Sequence, residues 1–113
     1  MNIIFKQGYN CIISTRHYVP YSIVHKLKGT LHVEPTKKTI EIGRNKHILD
    51  HYGQYINHSF NPTCMINDGH LVALKRIFPG DEITFDYNKN ESCMIECFRD
   101  KNTGLWVKGR MQS

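Results

Sequence analysis

The sequence is most informative at YINHSFNP, residues 55–62, and at GDEITFDY, residues 80–87. The first segment carries Asn and Ser side chains, which bond neighbouring backbone amides, and it ends at Pro62, which fixes φ and lacks a donor. The second follows a Pro79-Gly80 turn and alternates apolar and polar residues as a strand does. Taken singly, each segment is typical of an ordinary turn or strand. Their order along the chain makes the pair informative.

The rest of the chain predicts many short strands. Runs rich in β-branched and aromatic residues recur, while helical periodicity is poor. Asn67-Asp68-Gly69, between two such runs, predicts a hairpin loop. One short helix or 3₁₀ turn is expected within residues 49–56, where Gly53 lowers helix propensity. The predicted strands are residues 3–5, 11–14, 22–27, 30–33, 39–42, 71–74 and 83–85. The fold class is therefore predicted to be mostly β.

Length and composition set limits on the class of protein. At 113 residues the chain fits one compact domain that buries enough apolar surface to fold alone. Its longest apolar runs are only a few residues, which predicts no membrane contact. Residues 1–7 lack the pattern of a secretory signal, so we expect an intracellular protein, nuclear or cytoplasmic. Four cysteines in such a protein are expected to be reduced thiols.

The charge is basic, with fifteen Lys and Arg against ten Asp and Glu. A formal charge of +5 suggests affinity for acidic partners such as nucleic acid. The basic residues are spread out, however, whereas a dedicated nucleic-acid module carries a denser stripe with interleaved aromatic residues. A basic nucleic-acid-binding β domain is therefore kept as an alternative with weak support.

The two opening segments resemble the signature motifs of the SET-domain protein lysine methyltransferases. In that family one motif reads Asn-His-Ser followed by a proline, and a later one reads Gly-Glu-Glu-Leu-Thr-Phe-Asp-Tyr in many members. The resemblance implies short strands in small sheets, one or two short helices or 3₁₀ turns, and a C-terminal pseudoknot in which the chain threads under a loop. It also implies S-adenosylmethionine as cofactor and a protein lysine, in a histone or another protein, as methyl acceptor.

The resemblance also implies roles for individual residues. Tyr87 is assigned as the catalytic residue, with its hydroxyl lining a narrow pore between cofactor and substrate amine, and Phe85 is assigned to the same lysine channel. Asn57 would bond the methionine end of the cofactor, and His58 would hold the adenine through backbone groups. The other residues assigned to the cofactor site are Tyr55, Tyr9, Asn10, Cys11 and Trp106. Either Phe98 or Trp106 would cover the adenine by stacking.

This set of residues suits methyl transfer to an amine, which is an in-line displacement. The enzyme mainly has to align donor and acceptor and to accept a neutral lysine, whose pKa falls in a dry channel beside a sulfonium. Carbonyl oxygens and a Tyr hydroxyl can hold the polarised methyl group by weak CH···O contacts. Phe85 lacks the hydroxyl that Tyr would add, which predicts space for an already methylated amine and hence di- or trimethylation.

Upstream, the chain departs from the family pattern. With Arg16 as the anchor, Tyr9 and Cys11 stand at the two glycines of the loop that packs against the cofactor, and Gly8 lies one residue away. A catalytically weak SET-like binding module is therefore a second alternative. The insert at residues 34–55 is short, which predicts a shallow substrate groove. The oligomeric state, monomer or homodimer, is left open.

The C-terminal region departs as well. We expect a SET domain in residues 1–90 and, in residues 91–113, a short tail that resembles a degenerate post-SET segment. Arg99 and Thr103 stand where zinc-binding cysteines would fall, so no metal is expected. Residues 88–92 are predicted to be a polar linker, and the tail beyond it is predicted to be an appendage that adds nothing to the core.

Overall fold

The computed structural model describes residues 1–110 and consists mainly of short strands in small sheets. One 3₁₀ turn (Gly53–Tyr55) and one helix, α1 (Tyr87–Asn90), interrupt them. The strands are β1 (Asn2–Lys6), β2 (Tyr9–Ile13), β3 (Ile23–Lys26), β4 (Gly29–His32), β5 (Ile40–Gly43), β6 (Lys46–Asp50), β7 (Asn57–His58), β8 (Cys64–Asn67), β9 (His70–Ala73), β10 (Glu82–Phe85), β11 (Phe98–Arg99) and β12 (Trp106–Val107). The predicted mostly-β class is confirmed. No helix among residues 1–110 has the length and apolar character needed to cross a membrane.

The sheet that carries both sequence motifs has the strand order β1-β2-β10-β7. Strands β1 and β2 form a hairpin whose two-residue turn places Gln7 and Gly8 at φ 51° and 89°. Gly8 therefore serves the turn, where a positive φ favours glycine. Strand β10 lies antiparallel to β2 and parallel to β7. That parallel pair brings residues 57–58 beside residues 84–85.

Two three-stranded sheets, β4-β6-β5 and β3-β9-β8, complete the domain. The hairpin between β8 and β9 is confirmed, with Asp68 and Gly69 at φ 50° and 73° in a two-residue turn. The short helix or 3₁₀ turn expected within residues 49–56 is confirmed as the 3₁₀ turn Gly53–Tyr55, while residues up to Asp50 belong to β6. Strand β6 is central in its sheet and its His47 and Ile48 are buried, so pairing on both sides outweighs local helix propensity.

Asp50 joins β6 to the surrounding loops. Its carboxylate, 2% exposed, accepts hydrogen bonds from the backbone N–H groups of Lys28, Tyr52 and Gly53 and lies 3.0 Å from His25 Nε2. Burial alone would raise its pKa, yet these donors hold the pKa of Asp50 below its ordinary value. The apolar core around this point draws on all three larger sheets and comprises Ile12, Leu27, Ile40, Ile48, Ile56, Cys64, Leu71, Ala73, Ile77, Ile83 and Phe85.

Residues 88–92 are not the polar linker that the sequence suggested. Asp86 caps α1 by accepting a hydrogen bond from the N–H of Asn88, so the polar stretch continues as a turn of helix. The tail is also fastened to the domain. Asn88 Oδ1 accepts from the backbone N–H groups of Lys108 and Gly109, at 2.8 and 3.0 Å, and Val107 is completely buried. The described part of the tail thus adds an apolar side chain to the interior.

Candidate functional site

A cavity of about 700 Å³ opens where β7, β10 and the tail meet. Six of the residues that the sequence suggested for the site line it: Tyr9, Asn57, His58, Phe85, Tyr87 and Phe98. The parallel register, Thr84 opposite Asn57 and Phe85 opposite His58, accounts for their convergence. The volume lies within the range of small-molecule and cofactor sites in proteins.

Asn57 connects three strands at the wall of this cavity. Its Nδ2 donates to the carbonyl oxygen of Asn10 at 3.0 Å and to Oε2 of Glu82 at 3.2 Å. These two bonds fix the orientation of the amide, and its Oδ1 accepts no hydrogen bond from residues 1–110. The side chain therefore presents a positioned acceptor at the cavity wall.

His58 has a nearly buried imidazole, with 1% of the side chain exposed. Its Nδ1 accepts a hydrogen bond from the backbone N–H of Tyr87 at 3.0 Å, so the neutral ring carries its proton on Nε2. Nε2 is buried without a partner in the described part of the chain. Burial lowers the pKa of His58, and the nearby Asp86 and Asp100 carboxylates oppose that shift. The ring is therefore neutral around pH 7.

Tyr87 lines the cavity beside Phe85. The hydroxyl donates to the backbone carbonyl of Ile56, and the ring lies 4.8 Å from that of Phe85 between centroids. Burial raises the pKa of Tyr87, and the carboxylates of Glu91 and Glu82 raise it further. The phenol therefore stays protonated and acts as a fixed hydrogen-bonding group.

The tail covers the open side of the cavity through the β11–β12 hairpin. The Phe98 ring meets Tyr87 and His58 edge-on, with centroids 6.2 and 6.3 Å apart. The ammonium group of Lys101 lies 5.3 Å from the centre of the Tyr9 ring. Phe98, unlike Trp106, lines the cavity; the Trp106 ring is 48% exposed and lies under the Arg99 guanidinium.

Glu91 is a cavity residue that the sequence reasoning missed. It is only 7% exposed, and its carboxylate accepts from the backbone N–H of Glu41 at 3.1 Å and from Asn90 Nδ2. Burial raises the pKa of Glu91 to about 7, against the hydrogen bonds it accepts. Its spacing from Tyr87, one helical turn, was the available signal, because i and i+4 side chains share a helix face.

The other residues assigned to the cofactor site do not line the cavity. Asn10 contributes its carbonyl to Asn57. Cys11 is completely buried, and burial raises its thiol pKa. Tyr55 ends the 3₁₀ turn and packs against the core, and Trp106 lies on the outer hairpin. Their assigned roles remain predictions.

No set of three or more His, Cys, Asp or Glu side chains within residues 1–110 is arranged to hold a metal ion. Cys93 and Cys97, the two cysteines of the tail, are both exposed free thiols. The tail is attached instead by hydrogen bonds: the N–H and hydroxyl of Ser92 donate to Glu41, and the Arg110 guanidinium donates to Glu41 and to the carbonyls of Lys89 and Asn90.

Comparison with known proteins agrees with this geometry. The family model described as SET domain matches residues 5–88, which is well over half of the chain. A chain in the structure of a humanized mutant of the Chaetomium thermophilum Polycomb Repressive Complex 2, bound to the inhibitor GSK126, aligns with a TM-score of 0.56 and 14% identity. The alignment covers 98% of this chain and 19% of that one, and at this identity it shows a shared fold. A search of curated protein sequences finds no match.

Proposed function

Because this chain belongs to the SET domain family, we propose that it transfers a methyl group from S-adenosylmethionine to the side chain of a lysine in a protein substrate. The substrate is a histone or another protein. Residues 1–90 would supply the catalytic domain and residues 91–113 a short tail, whose described part, residues 91–110, contributes side chains to the cavity lining. The chain spans about a fifth of the structural relative that it matches, so this activity is proposed for the domain in hand.

One observation carries the proposal: the parallel pairing of β7 with β10. It unites the Asn57–His58 pair with Phe85 and Tyr87 around one cavity, although the two motifs are far apart in the sequence. A pair of unrelated turns would have no reason to converge on a cavity of cofactor size. The convergence therefore supports a joint function for the two motifs.

The cavity residues fit an adenosyl cofactor with an amino-acid end. Asn57 offers a fixed carbonyl acceptor for an ammonium group, and the neighbouring Glu82 carboxylate adds negative charge there. Phe98 and Tyr9 offer aromatic surface for a purine ring. When bound, S-adenosylmethionine supplies an electrophilic methyl group. The buried, unpartnered Nε2 of His58 further marks this wall as one built for polar contact.

In the proposed reaction Tyr87 positions the lysine amine. Its hydroxyl is held by the Ile56 carbonyl, and both oxygens can orient N–H groups and weakly bind a polarised methyl group. Because the pKa of Tyr87 is raised, the phenol keeps its proton and does not compete as a nucleophile. Phe85 and Phe98 exclude water, which favours the neutral, nucleophilic form of the amine.

Two measurements test the proposal. Isothermal titration with S-adenosylmethionine should give saturable binding that Asn57→Ala weakens by about tenfold or more, since a charge-assisted hydrogen bond is lost. Asn61→Ala is the matched control, because Asn61 lies in the same loop, is exposed and does not line the cavity. Tritium transfer to proteins of a soluble lysate then reports turnover. Binding without transfer would instead favour the binding-module alternative, and no binding by the wild type would reject the proposal.

A further inference from the structure

Glu91 carries a buried carboxylate at the cavity that the proposed reaction does not yet use. It is the first residue after α1, one turn beyond Tyr87, and both residues line the cavity. Its N–H donates to the Tyr87 carbonyl, so the two are joined by the helix backbone. The negative charge of the Glu91 carboxylate adds to burial in raising the pKa of the Tyr87 phenol.

Glu91 has acceptor capacity to spare. The backbone N–H of Glu41 is shared between its two oxygens, at 3.1 and 3.3 Å, and Asn90 Nδ2 donates to Oε2. A carboxylate has about four lone-pair sites, so some remain for a donor arriving through the cavity. Burying a carboxylate costs desolvation free energy. A cationic substrate that binds beside the carboxylate offsets that cost by its charge, whereas without such a cation the cost remains.

The charged groups around Glu91 leave its charge uncompensated in the free protein. Two ionisable neighbours act on it: the carboxylate of Glu41 on β5 and the guanidinium of Arg110, which follows β12. Arg110 forms its ion pair with Glu41, at 3.2 Å, and Glu91 itself has no ion pair among residues 1–110. On α1 the Tyr87 hydroxyl stays neutral, and the other titratable side chain of this helix, Lys89, is exposed.

We infer that the Glu91 carboxylate binds the ammonium group of the incoming lysine and accepts a proton from it, an assignment that rests on the proposed function. In this step one N–H bond breaks and one O–H bond forms on Glu91. The electron pair of the broken N–H bond becomes the nitrogen lone pair that attacks the methyl group. After product release the proton passes to solvent, and the carboxylate is regenerated.

Other residues at the cavity are less suited to this task. Glu82 adjoins Asn57 at the wall proposed for the amino-acid end of the cofactor, and Nδ1 of His58 is occupied by the Tyr87 N–H. A base whose pKa lies near neutral pH is best suited to take a proton and to release it again. Glu91, with its pKa raised to about 7, meets that requirement.

The first arm of the test uses n-butylammonium as a probe for the lysine end. The protein is labelled with glutamate-δ-¹³C, and the Glu91 resonance is identified by its loss in Glu91→Gln. The probe should lower the titration midpoint of that resonance, and Glu91→Gln should weaken probe binding by about tenfold. Glu34→Gln is the control, since Glu34 is exposed and does not line the cavity; it should change probe affinity less than twofold.

The second arm is the pH dependence of methyl transfer to the lysate proteins. Wild-type kcat/KM, which reports the free enzyme, should rise with pH through a midpoint near 7, and Glu91→Gln should lower kcat/KM about a hundredfold at pH 7. The deficit should shrink towards pH 10, where lysine loses its proton unaided. Glu41→Gln should retain turnover and move the midpoint to lower pH, because the Glu41 charge raises the pKa of Glu91.

The outcomes separate this inference from the proposed function. Cofactor binding and turnover that Glu91→Gln leaves unchanged, in rate and in pH profile, would overturn the role of Glu91 while the methyltransferase function stands. An unshifted Glu91 resonance at saturating probe would also overturn it. Probe binding at Glu91 by a protein that does not bind S-adenosylmethionine would support the ammonium site and reject the methyltransferase function.

Discussion

Nδ1 of His58 accepts a hydrogen bond from the backbone N–H of Tyr87 across 3.0 Å. This bond links the two sequence motifs directly, because one partner belongs to β7 and the other begins α1. It also explains why the imidazole is kept neutral, since a protonated Nδ1 could not accept. Stability and geometry of the site therefore depend on one ring nitrogen.

Two substitutions of His58 measure how much the hydrogen bond to the Tyr87 N–H contributes to stability. His58→Ala leaves the Tyr87 N–H without an acceptor and opens a void beside Phe60, whose ring centroid lies 4.3 Å away. His58→Asn keeps a side-chain oxygen near the position of Nδ1. Urea unfolding should give a free energy of unfolding about 1–3 kcal/mol lower for the Ala variant than for the Asn variant. Equal stabilities would show that the bond contributes little.

His58 also predicts a pH dependence of stability. Burial lowers its pKa in the folded state, so the unfolded chain, with a His pKa of about 6.5, takes up a proton first as pH falls. The unfolded state is then favoured, and stability declines below about pH 6.5. Comparing melting temperatures at pH 7 and pH 5 checks this: His58→Asn should lose less stability over the interval than the wild type.

Tyr87→Phe should separate binding from turnover. The substitution removes the hydroxyl that donates to Ile56 but keeps the ring packed on Phe85. We expect S-adenosylmethionine affinity within about twofold of the wild type. We expect kcat to fall by about a hundredfold or more, since orientation of the amine is lost. Titration calorimetry and tritium transfer measure the two quantities. Unchanged kcat would remove Tyr87 from its proposed role.

Phe85→Tyr should change the product. Phe85 is 3% exposed and adjoins Tyr87, so an added hydroxyl there would occupy space in the proposed channel and hold the amine by a further hydrogen bond. The wild type is expected to yield di- or trimethyl-lysine, and the variant is expected to stop at an earlier stage. Mass spectrometry of the product distinguishes the two. A wild type that stops strictly at monomethyl-lysine would sink this prediction.

Glu91 should make the domain less stable as pH rises. Its pKa is raised to about 7 when folded, against an ordinary value of about 4.3, so between these values the folded state holds a proton that the unfolded chain has released. That contribution is fully present below about pH 4.3 and is lost as pH approaches and passes 7. Relative to the wild type, Glu91→Gln should gain about 3 kcal/mol of unfolding free energy between pH 4 and pH 8.

Glu34→Gln is the control for this experiment, because Glu34 is exposed. It should shift the unfolding free energy by a few tenths of a kcal/mol at either pH, as surface substitutions usually do. A Glu91→Gln variant that parallels the wild type at every pH would contradict the raised pKa.

The attachment of the tail can be loosened at one glycine. Gly109 has φ +90°, and a Cβ built there would lie 2.8 Å from the Glu91 carbonyl oxygen. Gly104 has a similar φ of +74° but open space around it. Gly109→Ala should therefore speed amide hydrogen exchange of the β11–β12 hairpin and weaken cofactor binding, because the hairpin carries Phe98. Gly104→Ala introduces the backbone strain of a positive φ without the steric collision. Equal effects of the two variants on exchange and binding would therefore mean that the positive φ, and not the collision at residue 109, is responsible.

Much of the fold follows from local sequence signals. The Asn67-Asp68-Gly69 hairpin was predictable because positive φ values at a two-residue turn favour Asp and Gly. Most strand cores coincide with the β-branched runs. Strand β6 was missed, since KHILD has no strict alternation and the strand is defined by partners on both of its edges. Pairing partners distant in sequence leave no local signature.

The site was predictable only as far as the family motifs extend. Asn57, His58, Phe85 and Tyr87 converge on one cavity, and Tyr9 joins them. Glu91 was read as part of a polar linker, because its burial depends on Glu41 and on the returning tail rather than on its neighbours in sequence. Phe98 and Trp106 could not be separated by composition; the hairpin register decides which ring faces the cavity.

The parallel pair of β7 and β10 also determines when the cavity can exist during folding. In this pair Asn57 lies opposite Thr84, and His58 lies opposite Phe85. The chain between the two strands contains the β8–β9 hairpin, so that hairpin forms either before the pair or together with it. Contacts between distant segments of a β-rich chain are made late and slowly, on the scale of milliseconds to seconds. A chain emerging from the ribosome has no binding wall until β10 has been synthesised. Ligand affinity in this domain is thus acquired in the same cooperative step that completes its main sheet, and a ligand present at that moment would select the completed form.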